Sequence, residues 1–191
     1  MSFAASMLVA LAIDAALGWP EALFRRVGHP VTWLGRLIAA LDARLNRPDR
    51  AEAARMRAGA ATVTLVVAAA VLPALALQAA LPAGWLGVAL AGLLAWPLVA
   101  ARSLHAHVAA VARPLEAGDL ESARGEVALI VGRDPAQLDA AGLARAALES
   151  LSENASDGVV APLFWGAVLG LPGIAAYKAI NTLDSMIGHR T

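Results

Sequence analysis

Three carboxylates stand at four-residue spacing in the stretch ESLSENASDGVVAPLFWG, which runs from Glu149 to Gly166. On a helix, Glu149, Glu153 and Asp157 would share one face. Like charges at this spacing repel each other, and a bound cation would relieve the repulsion. Proteins commonly hold Mg²⁺ with one or two carboxylates together with waters and substrate phosphates. A solvated helix end, with Arg145 paired to Glu149, explains the same spacing without a metal.

A second polar set lies in YKAINTLDSMIGHR, beside an apolar run. A helix here would present Lys178 together with Asn181 and Thr182, which follow three and four residues later. Lys178 can contact a phosphate or a carboxylate, or it can extend its stem to the membrane interface and bind nothing. The whole set comprises Lys178, Asn181, Thr182, Asp184, Ser185, His189 and Arg190.

A third polar region begins with Asp14, which lies inside the apolar run FAASMLVALAIDAALGW. A charge within a membrane span is costly and indicates a functional role by default. Glu21 and the dipeptide His29-Pro30 follow shortly after this run. His105 and His107 stand two residues apart, so a helix would not bring them to one face as a zinc pair.

The composition of the 191-residue chain does not suit a soluble domain. Hydrophobic residues make up 59% of it and charged residues 16%, whereas typical globular domains have about 25% charged residues. A formal net charge of zero argues against nucleic-acid binding. The chain contains no cysteine, which excludes disulfides, thiolate zinc sites and a cysteine nucleophile within it.

Three apolar runs, at about 3–19, 59–81 and 83–101, approach the roughly 20 residues that a helix needs to cross a membrane. A fourth run, at about 158–176, is interrupted by the sequence GLPG. Strand-like alternation and internal repeats do not occur. We therefore predict an all-α, polytopic integral membrane protein with cytoplasmic helical segments and a single membrane domain, residues 1–191.

The charges predict how these runs are oriented. The segment 21–58 carries eight arginines against four acidic residues, which by the positive-inside rule places it in the cytoplasm. The short uncharged link near Leu81-Pro82 then faces outward. The segment 102–157, with five arginines and nine acidic residues, returns to the cytoplasm. The polar groups are therefore expected to face the cytoplasm.

Both cytoplasmic segments have helical patterns. The apolar stripe of VTWLGRLIAALDARLN, which starts at Val31, predicts an amphipathic helix along the membrane interface. The next segment, from Ser103 to Asp134, predicts two helices with a break near Gly118-Asp119. A further helix is expected to begin with Asp134 as its N-cap and Pro135 in its first turn.

The fourth apolar run leaves two topologies open. Its first half has 12 residues, roughly 18 Å as a helix, which is short of the ~30 Å hydrocarbon core. Pro172 and Gly173 supply a turn signal in the middle of the run. Full crossing would put the NTLDSM stretch outside. A re-entrant hairpin, which we favour, would return both polar flanks to the cytoplasm.

The chain lacks the short signatures of nucleotide-binding loops, zinc peptidases and serine hydrolases. The VGRD sequence at 131–134 has one glycine and no following lysine, so it is not a phosphate-binding loop. The residues alone predict a polar cytoplasmic site that binds an anion together with a divalent cation. They define no reaction type.

Five blocks follow one another along nearly the whole chain: DAALGWPE…GHPVTWLGRLI, ARSLHAHVAAV, IVGRDPAQLD, ARAALESLSENASDGVVAPLFW and YKAINTLDSMIGHR. In this order they closely resemble the adenosylcobinamide-phosphate synthase (cobinamide synthase) family of cobalamin biosynthesis. The resemblance implies a multi-pass protein of the bacterial inner membrane. It also implies an ATP-dependent ligase, with Mg²⁺, that joins a propionate of adenosylcobyric acid to (R)-1-amino-2-propanol or its O-phosphate. Other cobalamin-biosynthesis enzymes are then candidate partners.

The resemblance also suggests roles for individual residues. Glu153 and Asp157 would be catalytic carboxylates that hold the metal. Lys178 and Arg133 would contact phosphate, and His29 would be the base for the attacking amine. The residues that would bind or orient substrate are Asn154, Asn181, Thr182, Asp184 and Ser185.

Family chains continue beyond the NTLDSM block, so we expect this chain, which ends at Thr191, to be part of a longer one. A transporter or permease subunit for a corrinoid or another anion is the alternative function, because transporter sites use broken helices with polar flanks. A non-catalytic scaffold is a third. Transport sites lie near the membrane midplane, and only Asp14 lies within a predicted span, so the sequence favours the enzyme.

Overall fold

The computed structural model describes residues 2–47, 49–131 and 134–188. Every regular element in these residues is helical, which confirms the predicted all-α class. A 3₁₀ turn, Trp96–Leu98, follows the fifth α-helix, and a π-helical turn, Ser156–Val160, follows the eighth. The α-helices are α1 (Phe3–Leu17), α2 (Glu21–Val27), α3 (Pro30–Leu45), α4 (Glu52–Ala80), α5 (Trp85–Ala95), α6 (Ala101–Glu116), α7 (Leu120–Ala128), α8 (Ala140–Ala155), α9 (Ala161–Leu169) and α10 (Leu171–Ile187).

These helices form two compact units. The first unit contains the described residues of 1–99 and 161–191, and therefore α1 to α5 with α9 and α10. The second unit contains residues 100–160, and therefore α6 to α8 and the π-helical turn. Its bounds nearly coincide with the segment 102–157, which the charge pattern predicts to be cytoplasmic.

Two helical stretches are long and apolar enough to cross a membrane, Glu52–Ala80 and Trp85–Glu116. A third is added if Phe3–Leu17 and Glu21–Leu45, which are bent by 110° relative to each other, count as one broken span. These helices agree with the predicted class of polytopic membrane protein. The short link predicted near Leu81-Pro82 joins the first two of them.

In the first unit, α10 runs antiparallel to α4. The backbone N–H of Leu171, at the start of α10, donates a 2.8 Å hydrogen bond to Oε1 of Gln78, near the end of α4. Ile187, at the end of α10, lines a cavity together with Glu52 and Thr62 from the beginning of α4. This packing places each polar residue of α10 at a defined level beside the apolar helix.

The chain reverses direction between α9 and α10 at Gly170, whose φ of 73° favours glycine. The break predicted within the GLPG sequence is therefore confirmed, and it lies at the first residue of that sequence, two residues before Pro172. Pro172 lies in the first turn of α10, where its missing N–H has no helical partner to lose. Position 173 lies within α10, and the close packing there requires glycine because a Cβ would overlap the carbonyl oxygen of Trp165 in α9. The two arms pack closely, and their re-entry into a membrane stays a prediction.

The amphipathic helix predicted after His29 is confirmed as α3. Its residue Ile38 is fully buried against Val66 of α4 and Leu183 of α10. These three residues belong to one hydrophobic cluster, and they fix α10 against α3 and α4. Lys178 lies on this fixed part of α10, so its position follows from the packing of its neighbours.

The second unit packs α6, α7 and α8 around Val111, Val127 and Leu143. The predicted break between the first two helices is confirmed, because α6 ends before Gly118 and Asp119 is the N-cap of α7. The apolar faces of these short helices therefore form their own hydrophobic core, which shares no residue with the cluster around Ile38 in the first unit.

The helix α8 begins later than predicted. Its N-cap is Asp139, whose Oδ1 accepts a 2.7 Å hydrogen bond from a backbone N–H three residues on, so the prediction of Asp134 is wrong. Asp134 caps only a short turn, through a 2.9 Å bond from the N–H two residues on. The cause is tertiary. Arg124 of α7 donates two hydrogen bonds, of 2.9 and 3.2 Å, to the carbonyl oxygen of Leu138 and holds it outside the helix.

Candidate functional site

The carboxylates of the second unit differ in their backbone. Glu149 and Glu153 lie one turn apart in regular α-helix, and both side chains are exposed. Asp157 is partly buried and lies in the π-helical turn, so the regular four-residue register predicted for the three acids ends at Glu153. Such turns are rare and occur frequently at functional sites. Glu149 and Asp157 each take part in a polar or electrostatic interaction.

Within the described residues, no group of three or more histidine, aspartate or glutamate side chains is placed to hold a metal ion. Glu153 and Asp157 can therefore offer at most a pair of carboxylates. This donor set fits Mg²⁺ held jointly by the protein and by substrate phosphates, which needs only one or two carboxylates. It does not fit a cage built by the protein alone.

Four of the candidate side chains share one face of α10, since their positions follow the helical i, i+3, i+4, i+7 pattern. Lys178 is the only lysine in the sequence, and only 9% of its surface is exposed. Asp184 lies off this face and is exposed. The residues of this polar face of α10 are Lys178, Asn181, Thr182 and Ser185.

Lys178 lies beside the middle of α4. It lines a cavity of about 430 Å³ together with Ala70, Pro73 and Ala74, which belong to the central part of the uncharged stretch of α4. The other side chains that line this cavity are alanine, leucine, proline and tryptophan. Lys178 itself belongs to α10, which is not one of the helices found long and apolar enough to cross a membrane, so the expectation that Asp14 is the only charge within a span stays a prediction. A buried ammonium at this level is costly and indicates a functional role.

Several predicted substrate-binding side chains use their donors on their own helix. Thr182 Oγ1 and Ser185 Oγ each donate to the carbonyl oxygen four residues earlier, at 2.6 and 3.0 Å. Asn154 Nδ2 does the same at 2.8 Å. The two hydroxyl oxygens and the Asn154 amide oxygen can still accept hydrogen bonds. We therefore expect these three side chains to serve a ligand as acceptors.

His29 is the N-cap of α3, a role that sequence reasoning missed. Its Nδ1 accepts a 3.2 Å hydrogen bond from the N–H of Val31, and Thr32 Oγ1 accepts a 3.2 Å bond from the N–H of His29. The ring also hydrogen-bonds the backbone of Pro97, and it lies close enough to Lys178 for their charges to interact. Because Nδ1 accepts a bond, the proton is on Nε2 and both ring nitrogens are engaged.

His29 packs against Trp19, which in turn packs against Trp96. The ring of Trp19 lies edge-on to His29, with ring centroids 5.1 Å apart, and is tilted against Trp96 at 5.3 Å. Trp96 Nε1 donates a 3.1 Å hydrogen bond to the carbonyl oxygen of Gly18, one turn beyond the buried Asp14. In this polar region, His29 is therefore packed against an aromatic ring.

A polar cavity of about 330 Å³ in the second unit contains residues that sequence reasoning did not single out as a site. Ser103, His107 and Ser150 line it together with the predicted residue Asn154. Ser103 Oγ and His107 Nδ1 are 3.4 Å apart on α6. Residues from α6 and α8 meet here only through tertiary packing, which leaves no local signal. The predicted phosphate contact Arg133 lies outside the described residues, as do positions 189 and 190.

An all-helical fold with two or three helices fit to cross a membrane, and with a lysine buried beside one of them, defines a polytopic membrane protein with a polar site. Residues 7–191 match the family model described as CobD/Cbib protein. The chain therefore belongs to the CobD/CbiB family of cobalamin biosynthesis proteins. This membership confirms the resemblance that the five sequence blocks indicate.

Similar proteins come from several bacteria. "Cobalamin biosynthesis protein CobD" of Rhodobacter capsulatus is 64% identical over 191 residues, which is all of this chain and 60% of that protein. The protein of the same name from a Sinorhizobium species is 47% identical over 186 residues, 97% of this chain and 58% of the relative. The one from Brucella suis biovar 1 is 44% identical over 182 residues, 95% and 56% respectively. The chain thus spans less than two thirds of the length of these relatives. No solved structure matches it.

Proposed function

We propose that the complete protein is an ATP-dependent amide ligase of cobalamin biosynthesis, an adenosylcobinamide-phosphate synthase. It joins adenosylcobyric acid to (R)-1-amino-2-propanol or its O-phosphate and gives adenosylcobinamide or adenosylcobinamide phosphate. The observation that carries this proposal is the family match, which extends over residues 7–191 and includes the sequence blocks that resemble these synthases. The buried lysine of α10 supports it, since the chemistry requires a cation at a phosphate.

The reaction forms an amide from a carboxylate and an amine, and the carboxylate must first be activated. The carboxylate oxygen attacks the γ-phosphorus of ATP, ADP leaves, and the amine then displaces phosphate from the acyl phosphate. Cations held near the transferred phosphoryl group stabilise its negative charge. Lys178 and Arg133 are assigned to this task. Burial of Lys178 favours the assignment, because little water screens its charge.

Glu153 and Asp157 are the residues that would hold Mg²⁺, in keeping with a donor set of two carboxylates. When bound, the ion neutralises charge on the phosphates. Asp157 is the better candidate of the two, since it is partly buried in the π-helical turn whereas Glu153 is exposed. The residues assigned to substrate binding are Asn154, Asn181, Thr182, Asp184 and Ser185.

The resemblance suggests His29 as the group that takes the proton from the attacking amine. Its Nδ1 is occupied by the cap of α3 and its Nε2 carries the proton, so the ring must release a hydrogen bond before it accepts another proton. The geometry supports the capping role more directly than base catalysis. We propose the bacterial inner membrane as the location, with the polar groups facing the cytoplasm and other enzymes of the pathway as partners.

The alternative function is a transporter or permease subunit for a corrinoid or another anion. One observation favours it: Lys178 lies beside the middle of α4, the level at which transport sites are found. The two functions differ in what they do to ATP and to the amine, so a single assay separates them.

The test uses membranes that contain the complete protein, with adenosylcobyric acid, aminopropanol phosphate, ATP and Mg²⁺. We expect adenosylcobinamide phosphate and one ADP per product, both measured by chromatography with mass spectrometry. Absence of product, with substrates and membrane insertion verified, would remove the ligase proposal. Uptake of the corrinoid into sealed vesicles without amide formation would establish the transporter in its place.

A further inference from the structure

A mixed-charge cavity lies at the end of the first unit where α4 begins. Its volume is about 670 Å³, within the ~300–1,000 Å³ of small-molecule sites. Residues from the end of α3, the beginning of α4 and the end of α10 line it. Ile187, the last residue of α10, contributes to its wall, so the cavity lies one turn beyond the candidate residues Asp184 and Ser185.

The cavity contains both signs of charge. Asp42, Glu52 and Arg55 line it, and in the described parts of the chain none of the three takes part in an ion pair with another residue. Asp42 Oδ1 accepts a 3.0 Å hydrogen bond from Asn46 Nδ2, which orients the carboxylate. Glu52 and Arg55 are exposed and Asp42 is partly buried, so the observation that points to a ligand is that both signs of charge line one cavity. A ligand that carries both signs itself can pair with each of them.

We propose that this mixed-charge cavity binds a zwitterionic amino-alcohol phosphate, with the phosphate on Arg55 and the ammonium between Asp42 and Glu52. A guanidinium presents paired N–H donors that match phosphate oxygens. Carboxylates accept hydrogen bonds from a primary ammonium, which a quaternary ammonium cannot donate. The inference rests on the proposed function, because it gives the phosphorylated amine substrate a place, and it extends that function to residues no sequence motif indicates.

Two kinds of ligand carry both an ammonium and a phosphate group. A free amino-alcohol phosphate is one, and the headgroup of an aminophospholipid is the other. The cavity adjoins the membrane-facing helix, since Gly59 and Thr62 of its lining lie at the start of the uncharged stretch of α4. The experiment therefore has to separate a soluble ligand from a lipid.

Neither of the other two cavities already described offers this chemistry. The cavity of about 430 Å³ at Lys178 has one cation and an otherwise apolar lining, and no carboxylate lines it. The cavity of about 330 Å³ in the second unit is lined by aliphatic side chains together with hydroxyl, amide and imidazole groups, and by no carboxylate or guanidinium. Of these three cavities, only the mixed-charge cavity carries both a guanidinium and carboxylates.

The test measures binding alone, without ATP or corrinoid, so that its outcome does not depend on turnover. The complete protein is placed in nanodiscs of phosphatidylcholine, and 1-amino-2-propanol O-phosphate is titrated by calorimetry. We expect this zwitterion to bind more tightly than aminopropanol or inorganic phosphate. Arg55→Gln removes the charged contact to phosphate and should weaken binding roughly 10- to 100-fold. Glu52→Gln should weaken binding of the phosphate ester and leave that of inorganic phosphate unchanged.

Arg57→Gln is the matched control, because Arg57 is an exposed arginine of the same helix whose Nε bonds its own backbone and which does not line the cavity. Nanodiscs with added phosphatidylethanolamine form the second arm. Competition by this lipid, lost in Arg55→Gln, assigns the cavity to the lipid headgroup. Binding that is absent in both arms, or equal in Arg55→Gln and Arg57→Gln, overturns the proposal. Binding in this test, together with no product in the separate turnover assay with corrinoid and ATP, would contradict the ligase and keep the cavity assignment.

Discussion

Two regions contain most of the residues with candidate chemistry, and they differ in burial. On α10, Lys178 and Thr182 are 9% and 8% exposed, beside an apolar helix. On α8, Glu149 and Glu153 are exposed. A charge in water costs little and needs no functional explanation, whereas a buried lysine must be compensated by the structure around it. Burial therefore makes Lys178 a stronger candidate than the exposed acids, although the acids have the more conspicuous spacing.

The first test of this comparison asks on which side of the membrane each region lies. The two regions can serve one reaction only if they lie on the same side. Ser156→Cys and Ser185→Cys place single thiols at the end of α8 and near the end of α10 in a chain without cysteine. We expect a membrane-impermeant maleimide to label both from the cytoplasmic side. Labelling from opposite sides would rule out the re-entrant hairpin.

Asp157→Asn should have the largest effect on activity. The amide keeps the size of the side chain and removes the negative charge that would hold Mg²⁺, so we expect no measurable product while the protein still inserts into membranes. Glu149→Gln is the control, since Glu149 is an exposed acid of the preceding helix, and it should change turnover little. Turnover of Asp157→Asn close to that of the unmodified protein would remove Asp157 from the site.

Lys178→Met should reduce turnover by about 10²- to 10³-fold, the usual cost of losing one group that stabilises transition-state charge. Methionine fills the same buried space beside the apolar cavity but cannot make the polar or electrostatic interaction of Lys178, so the thermal unfolding temperature in detergent should fall. A stable variant with full turnover would mean that Lys178 is a structural residue. Loss of both fold and turnover would be resolved by Lys178→Arg, which retains the charge.

Local patterns predicted most of the helices. The apolar stripe that starts at Val31 is confirmed as α3, and the break near Gly118-Asp119 lies between α6 and α7. The misplaced start of α8 has a different origin, since Arg124 holds the carbonyl oxygen of Leu138 from a neighbouring helix. A capping pattern involves only neighbouring residues, so it cannot predict a contact between residues fourteen positions apart.

The sequence predicts which residues are candidates for the site. It does not predict how deeply each one is buried or which residues share a cavity. The YKAINTLDSM block indicates Lys178, but only the antiparallel packing of α10 on α4 puts it beside mid-helix residues such as Pro73. Likewise, the arginine-rich segment 21–58 indicates membrane orientation and gives no sign that Arg55 shares a cavity with Asp42. Depth and shared cavities arise from contacts between distant segments, which a single sequence does not encode in any local pattern.

His29, the partly buried N-cap of α3, has two candidate roles: it caps the helix, and it is a suggested base. Asparagine is a good N-cap and cannot act as a base, so His29→Asn should keep the stability of α3, whereas His29→Ala should lose about 1 kcal/mol. We expect His29→Asn to retain most of the turnover, measured beside the unfolding temperatures of both variants. An equal loss of turnover in the two variants, with stability kept in His29→Asn, would establish the base.

The smallest effect is expected at Asp119, the N-cap of α7 in the second unit. Hydrogen bonds from the hydroxyl and the N–H of Ser122, at 2.6 and 3.0 Å, lower the pKa of Asp119 below its usual value. A lowered pKa in the folded state means that the capping contribution is fully present above the unfolded pKa and is lost as the pH falls through the folded value. Asp119→Asn caps α7 without titrating. As the pH is lowered from 7 to about 3, the unfolding temperature of the unmodified protein should therefore fall more than that of Asp119→Asn. This difference should be smaller than any change predicted above. A difference that is constant with pH would show that the carboxylate of Asp119 contributes nothing to the cap in solution.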